Sequence, residues 1–195
     1  MPAAEILQRI TSGKTVLHSV TIPEGYRITE IANLLEKRNL VDKNIFLQQA
    51  KNVELLEGVP TGSLEGYLFP DTYHFGKRTT EAIIINKMVE TFKERALKQE
   101  FLKRAEDIGF SFHEIITLAS LIEKETGKDS ERKQISSVFH NRLKKNMLLQ
   151  TDPTVIYAID GFDGNIRKRD LKIDSPYNTY PVSYSHLTLP TSDLV

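Results

Sequence analysis

The helical spacing of apolar residues in the middle of the sequence limits the folds open to this chain. From Thr80 to Lys145, apolar side chains recur at intervals of three and four residues. This spacing places them on one face of an α-helix, so several helices with buried stripes are expected here. Gly109 and Gly127 interrupt the stripes as helix stops. The sequence therefore predicts a core built largely from helices.

A different pattern over the first 60 residues predicts one strand followed by two helices. Apolar and polar residues alternate from Val16 to Ile22, and Pro23-Glu24-Gly25 ends the run as a turn. Thr29 and Asp42 can each cap a following helix. A second alternation, of aromatic residues between Tyr67 and Phe75, predicts an edge strand or a broken extended segment because a proline interrupts it.

These patterns predict an α+β fold with two units. Turn residues between positions 55 and 62 mark the most plausible boundary. A small strand–helix–helix subdomain is expected over residues 1–60, and a larger, mixed but mainly helical domain over residues 61–180. Residues 181–195 form a tail that fits neither pattern.

Composition excludes several classes of protein. The 26 basic and 26 acidic residues balance to a net charge of zero, which argues against nucleic acid as a partner. With no cysteine in the chain, disulfide scaffolds, thiol nucleophiles and cysteine-bound metals are excluded. His74, His113 and His140 show no paired ligand spacing, so we expect neither a metal nor another cofactor.

No segment of the sequence has the composition of a membrane span or a signal peptide. The longest aliphatic run, Ile83-Ile84-Ile85, is far shorter than the roughly 18 apolar residues that a span requires. Residues 1–5 lack the charged and apolar regions of a signal peptide. We therefore expect any export or anchoring element to lie upstream of this sequence.

Glu123 is the first candidate for a chemical role. Ser111 and Glu114 form a Ser-x-x-Glu capping box, which predicts a helix start. On this helix, Glu123 falls between Ile116 and Ala119, inside the apolar arc. An apolar setting raises the pKa of a carboxyl above its reference value of about 4.3, as a general acid requires. The alternative is a helix-end glutamate that reaches solvent or pairs with an arginine such as Arg132 or Arg142.

Other polar residues follow on neighbouring segments. Glu125 is a second inward-leaning carboxylate, near the Leu118–Leu121 side of the same helix. Asn141 flanks the apolar stripe of the next helix. Asp152 is predicted to cap a helix with Pro153 at its first position. Residues 175–180 form a loop of amides, hydroxyls and aromatic rings, which suits sugar recognition.

Four segments resemble the YceG-like (MltG) family of endolytic murein transglycosylases in sequence, order and approximate spacing. They are LEGYLFPDTY at 64–73, ASLIEKET at 119–126, SVFHNRL at 137–143 and LQTDPTVIY at 149–157, and they are followed by YNTY at 177–180. The first unit looks like the small LysM-like subdomain of the family, on Ile22-Pro23-Glu24-Gly25 and the helix after it. After Tyr180 the sequence departs from the family pattern.

The resemblance implies an enzyme of the bacterial cell envelope that cuts peptidoglycan glycan strands internally. The bond would be the one between N-acetylmuramic acid and N-acetylglucosamine, with Glu123 as general acid and base and a 1,6-anhydro end as product. Neither a metal nor another cofactor is implied. Hydrogen-bonding and stacking contacts to the sugars fall on Asn141, Gln150, Tyr177, Asn178 and Tyr180.

Two alternatives stay open on the sequence. One is a peptidoglycan-binding module whose catalytic site is incomplete because of the unusual tail. The other is a muramidase that hydrolyses the strand with Glu123 and a second carboxylate from Glu125 or Asp152. Glycan strands are the expected partner, together with cell-wall synthesis proteins. The expected location is the extracytoplasmic face of the cytoplasmic membrane, reached through an anchor absent from this sequence.

Overall fold

The computed structural model describes residues 16–56, 62–159 and 161–181, and within these ranges the fold is α+β, as predicted. The elements in chain order are β1 (Leu17–Thr21), α1 (Ile28–Lys37), α2 (Lys43–Gln49), β2 (Thr72–Gly76), α3 (Glu81–Ala96), α4 (Gln99–Asp107), α5 (Phe112–Glu125), α6 (Asp129–Lys144) and α7 (Asp152–Ala158). Short 3₁₀ turns cover Val53–Leu55 and Asp170–Lys172. No helix in the described ranges is both long and apolar enough to span a bilayer.

The two strands form a small antiparallel sheet that is buried on one face. Val20 pairs with Tyr73 across the sheet, and both side chains are buried along with Phe75. The rings of Tyr73 and Phe75 stack with their centroids 5.6 Å apart. The predicted aromatic segment is a strand only from Thr72 onward, while Tyr67 is buried in the core from an irregular stretch.

One apolar cluster joins residues from both sides of the predicted domain boundary. Its buried members extend from Val20 in β1 to Ile116 in α5, and they include Phe46 of α2 and Phe92 of α3. The boundary itself, near residue 60, lies outside the described residues, as do residues 182–195 of the predicted tail. The division into residues 1–60 and 61–180 therefore stays a prediction.

A second cluster forms around the C-terminal half of α5. Leu118 and Leu121 pack there with Phe139 of α6 and Leu149 of the following loop. Because Ile116 belongs to the first cluster and Leu121 to the second, α5 is shared between the two. The backbone at the end of α5 is thereby placed against both clusters.

Of the three helix caps predicted before residue 120, two are confirmed and one is wrong. Ser111 and Glu114 form the capping box of α5, and Asp42 caps α2 by accepting the N–H groups of Asn44 and Ile45. Thr29 does not cap α1, which begins two residues earlier than predicted, with Arg27 at the N-cap position. The carboxylate of Glu30 accepts the Arg27 N–H at 2.8 Å and stabilises this earlier start.

Phe46→Ala and Ile45→Ala test the shared core from neighbouring positions on α2. Phe46 is fully buried, whereas Ile45 is 45% exposed. We expect Phe46→Ala to lower the free energy of unfolding by about 3–5 kcal/mol, and Ile45→Ala by about 1 kcal/mol or less. Urea unfolding measures both. Equal losses would contradict the placement of α2 in the core.

Candidate active site

The end of α5 holds Glu123 in a partly buried position. Ser120, one turn earlier, is fully buried, and Ala119 is half-buried on the same side. Glu123 is half-buried as a whole, and its Oε2 atom is shielded from solvent. The predicted placement of this carboxyl within the apolar arc is confirmed, while its raised pKa stays a prediction.

The turn between β1 and α1 lies against this end of α5. A Cβ atom added to Gly25 would lie 2.9 Å from Lys124 Nζ and 3.6 Å from Glu123 Oε2. Gly25 is buried and has a φ of +67°. Residues other than glycine adopt this backbone conformation only at an energetic cost. The close approach of this turn to Glu123 therefore depends on glycine.

Arg27 connects the same segment to α7. Its guanidinium donates hydrogen bonds to the carbonyl oxygens of Ile156 and Tyr157, at 3.3 and 3.4 Å. The guanidinium carbon also lies 4.4 Å from the centroid of the Tyr157 ring, within the range of a cation–π contact. Tyr157 in turn meets the ring of Tyr177 edge to face at 4.9 Å. The predicted sugar-binding loop is thus linked to the turn above Glu123.

Glu65 lies behind Arg27 as a mostly buried carboxyl. Both of its oxygens accept the backbone N–H of Ile28, at 3.1 and 3.3 Å. Burial raises the pKa of Glu65 to about 7, although the Ile28 N–H and the charge of Arg27 act in the opposite direction. Nearby, burial and the charge of Glu65 raise the pKa of Tyr157.

The two candidate second carboxylates accept hydrogen bonds from hydroxyl groups. Thr151 donates to Glu125 Oε2 at 2.6 Å, and Tyr180 donates to Asp152 Oδ1 at 2.5 Å. The bond to Asp152, together with partial burial, raises the pKa of Tyr180 to about 12. The predicted capping role of Asp152 is wrong, because α7 begins at Asp152 itself with Thr151 as its N-cap. The carboxylate of Asp152 bonds to the 175–180 loop instead.

The remaining predicted residues differ in how they are placed. Asn178 is fully buried, donates to the carbonyls of Leu171 and Ile173, and accepts the N–H of Tyr180 through Oδ1. Gln150 is exposed, has a φ of +51° and donates its N–H to the Thr179 carbonyl. Asn141 is exposed on α6.

The structure thus brings most of the predicted residues into a connected arrangement. Glu125, Asp152, Gln150 and Tyr180 surround the start of α7, and Tyr177 reaches the other end of that helix through Tyr157. Sequence reasoning missed Gly25, Arg27 and Glu65. Gly25 and Glu65 both lie within segments that resemble the family. Their occurrence in those segments could have marked them as candidates, although no pattern in the sequence indicated a contact for either. Among the described residues, no group of three or more acidic or histidine side chains could hold a metal ion.

A family model described as the YceG-like family matches residues 1–186. The chain belongs to the YceG-like family. The match extends six residues into the segment that the sequence patterns set apart as a tail. Membership agrees with the resemblance of the four sequence segments to this family.

Three relatives define what this chain is similar to. It is 39% identical over 201 residues to an endolytic murein transglycosylase of Bacillus subtilis strain 168, covering 90% of this chain and 53% of that protein. A protein of the same name from Streptococcus pneumoniae serotype 2 strain D39 is 33% identical over 213 residues, covering 92% and 38%. The crystal structure of a putative YceG-like protein from Listeria monocytogenes matches with a TM-score of 0.75 and 32% identity, covering 98% of this chain and 67% of that one. The chain therefore spans about half or less of the length of its curated relatives.

Glu65→Gln tests the buried carboxyl through the pH dependence of stability. Because the pKa of Glu65 rises from 4.5 to about 7 on folding, the folded state binds the proton more tightly. The contribution of the Glu65 carboxyl to the free energy of unfolding is therefore fully present below pH 4.5, and it is lost as the pH rises through 7. At about 1.36 kcal/mol per unit of pKa, the full decline is about 3 kcal/mol, and it is absent from Glu65→Gln.

Urea unfolding of both proteins from pH 4.5 to 8.5 measures this difference. As the pH rises across that range, we expect the free energy of unfolding of the variant to increase relative to that of the parent protein by about 2–3 kcal/mol. Parallel pH curves would show that Glu65 keeps an ordinary pKa.

Proposed function

We propose that this protein cleaves peptidoglycan glycan strands internally, between N-acetylmuramic acid and N-acetylglucosamine, and leaves 1,6-anhydro-muramyl ends. The observation that carries the proposal is the partly buried Glu123 carboxyl on a helix shared by both apolar clusters. The names of the curated relatives support the reaction class. The reaction, the substrate and the residue roles given below belong to this proposal.

Glu123 acts in two successive proton transfers. Its protonated carboxyl first donates to the glycosidic oxygen, and the bond from that oxygen to C1 of the muramyl residue breaks. The resulting carboxylate then takes the proton from the C6 hydroxyl of the same residue, while the C6 oxygen bonds to C1. Glu123 ends protonated again and no water is consumed. One carboxyl with a raised pKa suits both steps.

The hydrogen bonds of Glu125 and Asp152 support a single catalytic carboxyl. A glycosidase that hydrolyses its substrate needs a second carboxyl about 5–5.5 Å from the first for retention, or about 6.5–9.5 Å for inversion. In this structure both candidates accept hydrogen bonds from hydroxyl groups. Thr151 donates to Glu125, and Tyr180 donates to Asp152. We assign them to fixing α5, α7 and the 175–180 loop, rather than to activating water.

The sugar contacts fall mainly on exposed polar groups and aromatic rings. Tyr177 and Tyr180 offer aromatic surface, and Gln150 and Asn141 offer exposed amides. The positive φ of Gln150, held by the bond to Thr179, resembles the local strain often found at binding sites. Asn178 contributes by shaping the loop, because its amide hydrogens already bond to two backbone carbonyls.

The first unit is proposed to be LysM-like and to belong to the same envelope enzyme. β1, α1 and α2 are followed by β2, which pairs antiparallel with β1, so the unit is closed by a strand beyond residue 60. The proposed partners are glycan strands and cell-wall synthesis proteins. The proposed location is the extracytoplasmic face of the bacterial cytoplasmic membrane.

Glu123→Gln tests the reaction and its catalytic residue together. Purified glycan strands are incubated with the parent protein, Glu123→Gln, Glu125→Gln and Asp152→Asn, and the products are analysed by mass spectrometry. We expect anhydro-muramyl ends from the parent and a loss of roughly 10²–10⁴-fold in Glu123→Gln. Glu94→Gln, on the exposed face of α3, is the matched control and keeps the parent rate.

Three results would replace the proposal. Reducing ends from the parent protein, lost in Glu125→Gln or Asp152→Asn, would establish hydrolysis with two carboxylates. Sedimentation of the parent with peptidoglycan without any cleavage would establish a binding module. An active Glu123→Gln variant would remove Glu123 from the mechanism.

A further inference from the structure

The segment between β1 and α1, residues 22–27, connects Glu123 to the aromatic pair Tyr157 and Tyr177. We propose that this segment is a fixed wall of the Glu123 site, with Gly25 and Arg27 as positioning residues for the carboxyl. The inference rests on the proposed function for its kinetic consequences, and on the geometry alone for the wall itself. Nothing in the proposed reaction requires a contribution from this segment.

Gly25 sets how closely the wall approaches the carboxyl. Its backbone is near enough to α5 that a single added carbon would meet Lys124 Nζ at 2.9 Å and approach Glu123 Oε2 to 3.6 Å. The exposed Lys124 side chain would move aside, whereas 3.6 Å from Glu123 Oε2 is an ordinary van der Waals contact, so the added carbon would pack directly against the carboxyl. The wall thus limits the space in which the end of α5 can place its two charged groups.

Arg27 holds the wall against α7. Its guanidinium donates to the carbonyls of Ile156 and Tyr157, which belong to the last turn of that helix. A cation is favourable at this end of a helix because the terminal carbonyls carry partial negative charge. The ring of Tyr157 covers the same guanidinium at 4.4 Å. Two hydrogen bonds and one ring contact therefore fix the side chain in a single orientation.

Glu65 fixes the other side of the wall. It accepts the N–H of Ile28, the residue directly after Arg27, and its charge lies near the guanidinium. The backbone N–H of Arg27 is bonded to Glu30. The wall is consequently tied to the first turn of α1 and to the Leu64–Tyr73 segment as well as to α7. A displacement at Arg27 is expected to reach Glu123 through Gly25.

Gly25→Ala and Gly109→Ala separate the close approach from the backbone cost. Gly25 and Gly109 have φ values of +67° and +77°, so alanine pays a similar penalty at both, but only Gly25 has atoms within 4 Å of the added carbon. We expect kcat to fall several-fold in Gly25→Ala with little change in KM, because the added carbon contacts the Glu123 carboxyl and restricts where it can lie. Gly109→Ala should keep the parent kcat. Equal values of kcat in the two variants would overturn the inference.

Arg27→Met removes the charge and the hydrogen bonds but keeps an apolar chain over Tyr157. We expect kcat to fall about ten-fold in Arg27→Met. Arg27→Lys should recover part of this loss, because lysine restores the positive charge but cannot donate to both carbonyls with the planar geometry of a guanidinium. Arg38→Met, at the exposed C-terminal end of α1, is the matched control. Parent-like kcat in Arg27→Met would overturn the role of Arg27. Should Arg27→Met fail to fold, the glycine pair still decides the inference.

A third experiment tests the wall without any activity. Because the chain contains no cysteine, Glu123→Cys introduces a unique thiol at the site. We expect a charged thiol reagent to label this cysteine about ten-fold faster when Arg27→Met is added, since loss of hydrogen bonds to a charged group corresponds to about that factor. Adding Arg38→Met should leave the rate unchanged. An unchanged rate with Arg27→Met would show that Arg27 holds no wall over residue 123.

These readouts distinguish the two proposals. Faster labelling with no glycan cleavage by the parent protein would support the wall and reject the proposed reaction. Cleavage by the parent together with parent-like kcat in Gly25→Ala and Arg27→Met would support the reaction and reject the wall.

Discussion

The burial of one helix in two apolar clusters determines where the functional groups of this protein lie. α5 contributes Ile116 to the cluster that contains the sheet, and Leu118 and Leu121 to the cluster of α6 and the following loop. A helix packed on both sides cannot rotate or slide without exposing apolar surface, at roughly 25 cal/mol per Å². Glu123, near the end of this helix, is therefore placed by the same packing that stabilises the fold.

Polar contacts then connect the parts of the structure that the apolar clusters leave separate. Arg27 bonds across to α7, Thr151 to Glu125, and Tyr180 to Asp152. Each gives a charged group a hydrogen-bond partner within the protein. These bonds have direction, so they fix orientation as well as distance. These bonds therefore orient α7 relative to the segment before α1, the end of α5 and the 175–180 loop.

The sequence was sufficient for the features that depend on local periodicity, and it failed where distant segments meet. The capping box at Ser111 and the inward position of Glu123 both follow from the helix repeat, and the structure has them. The cap predicted at Asp152 is wrong because α7 begins at that residue, and its carboxylate instead accepts a hydrogen bond from Tyr180, 28 residues away. The contact of Gly25 with the end of α5 joins residues about 100 positions apart, and no local pattern encodes such a pair. Arg27 and Glu65 were missed for the same reason.

The proposed reaction explains why shape around Glu123 matters more than additional catalytic groups. When the attacking hydroxyl belongs to the substrate itself, the site does not need to hold and activate a water, but it must hold C6 and C1 of one sugar in reacting geometry. Such positioning can supply several kcal/mol of the barrier reduction. A wall built on a glycine can approach the carboxyl more closely than one built on any other residue. Excluding volume beside Glu123 also excludes the water that would divert the reaction toward hydrolysis. Under the proposed reaction, the close approach of Gly25 and the hydroxyl-bound carboxylates of Glu125 and Asp152 would together favour the substrate hydroxyl over water as the nucleophile.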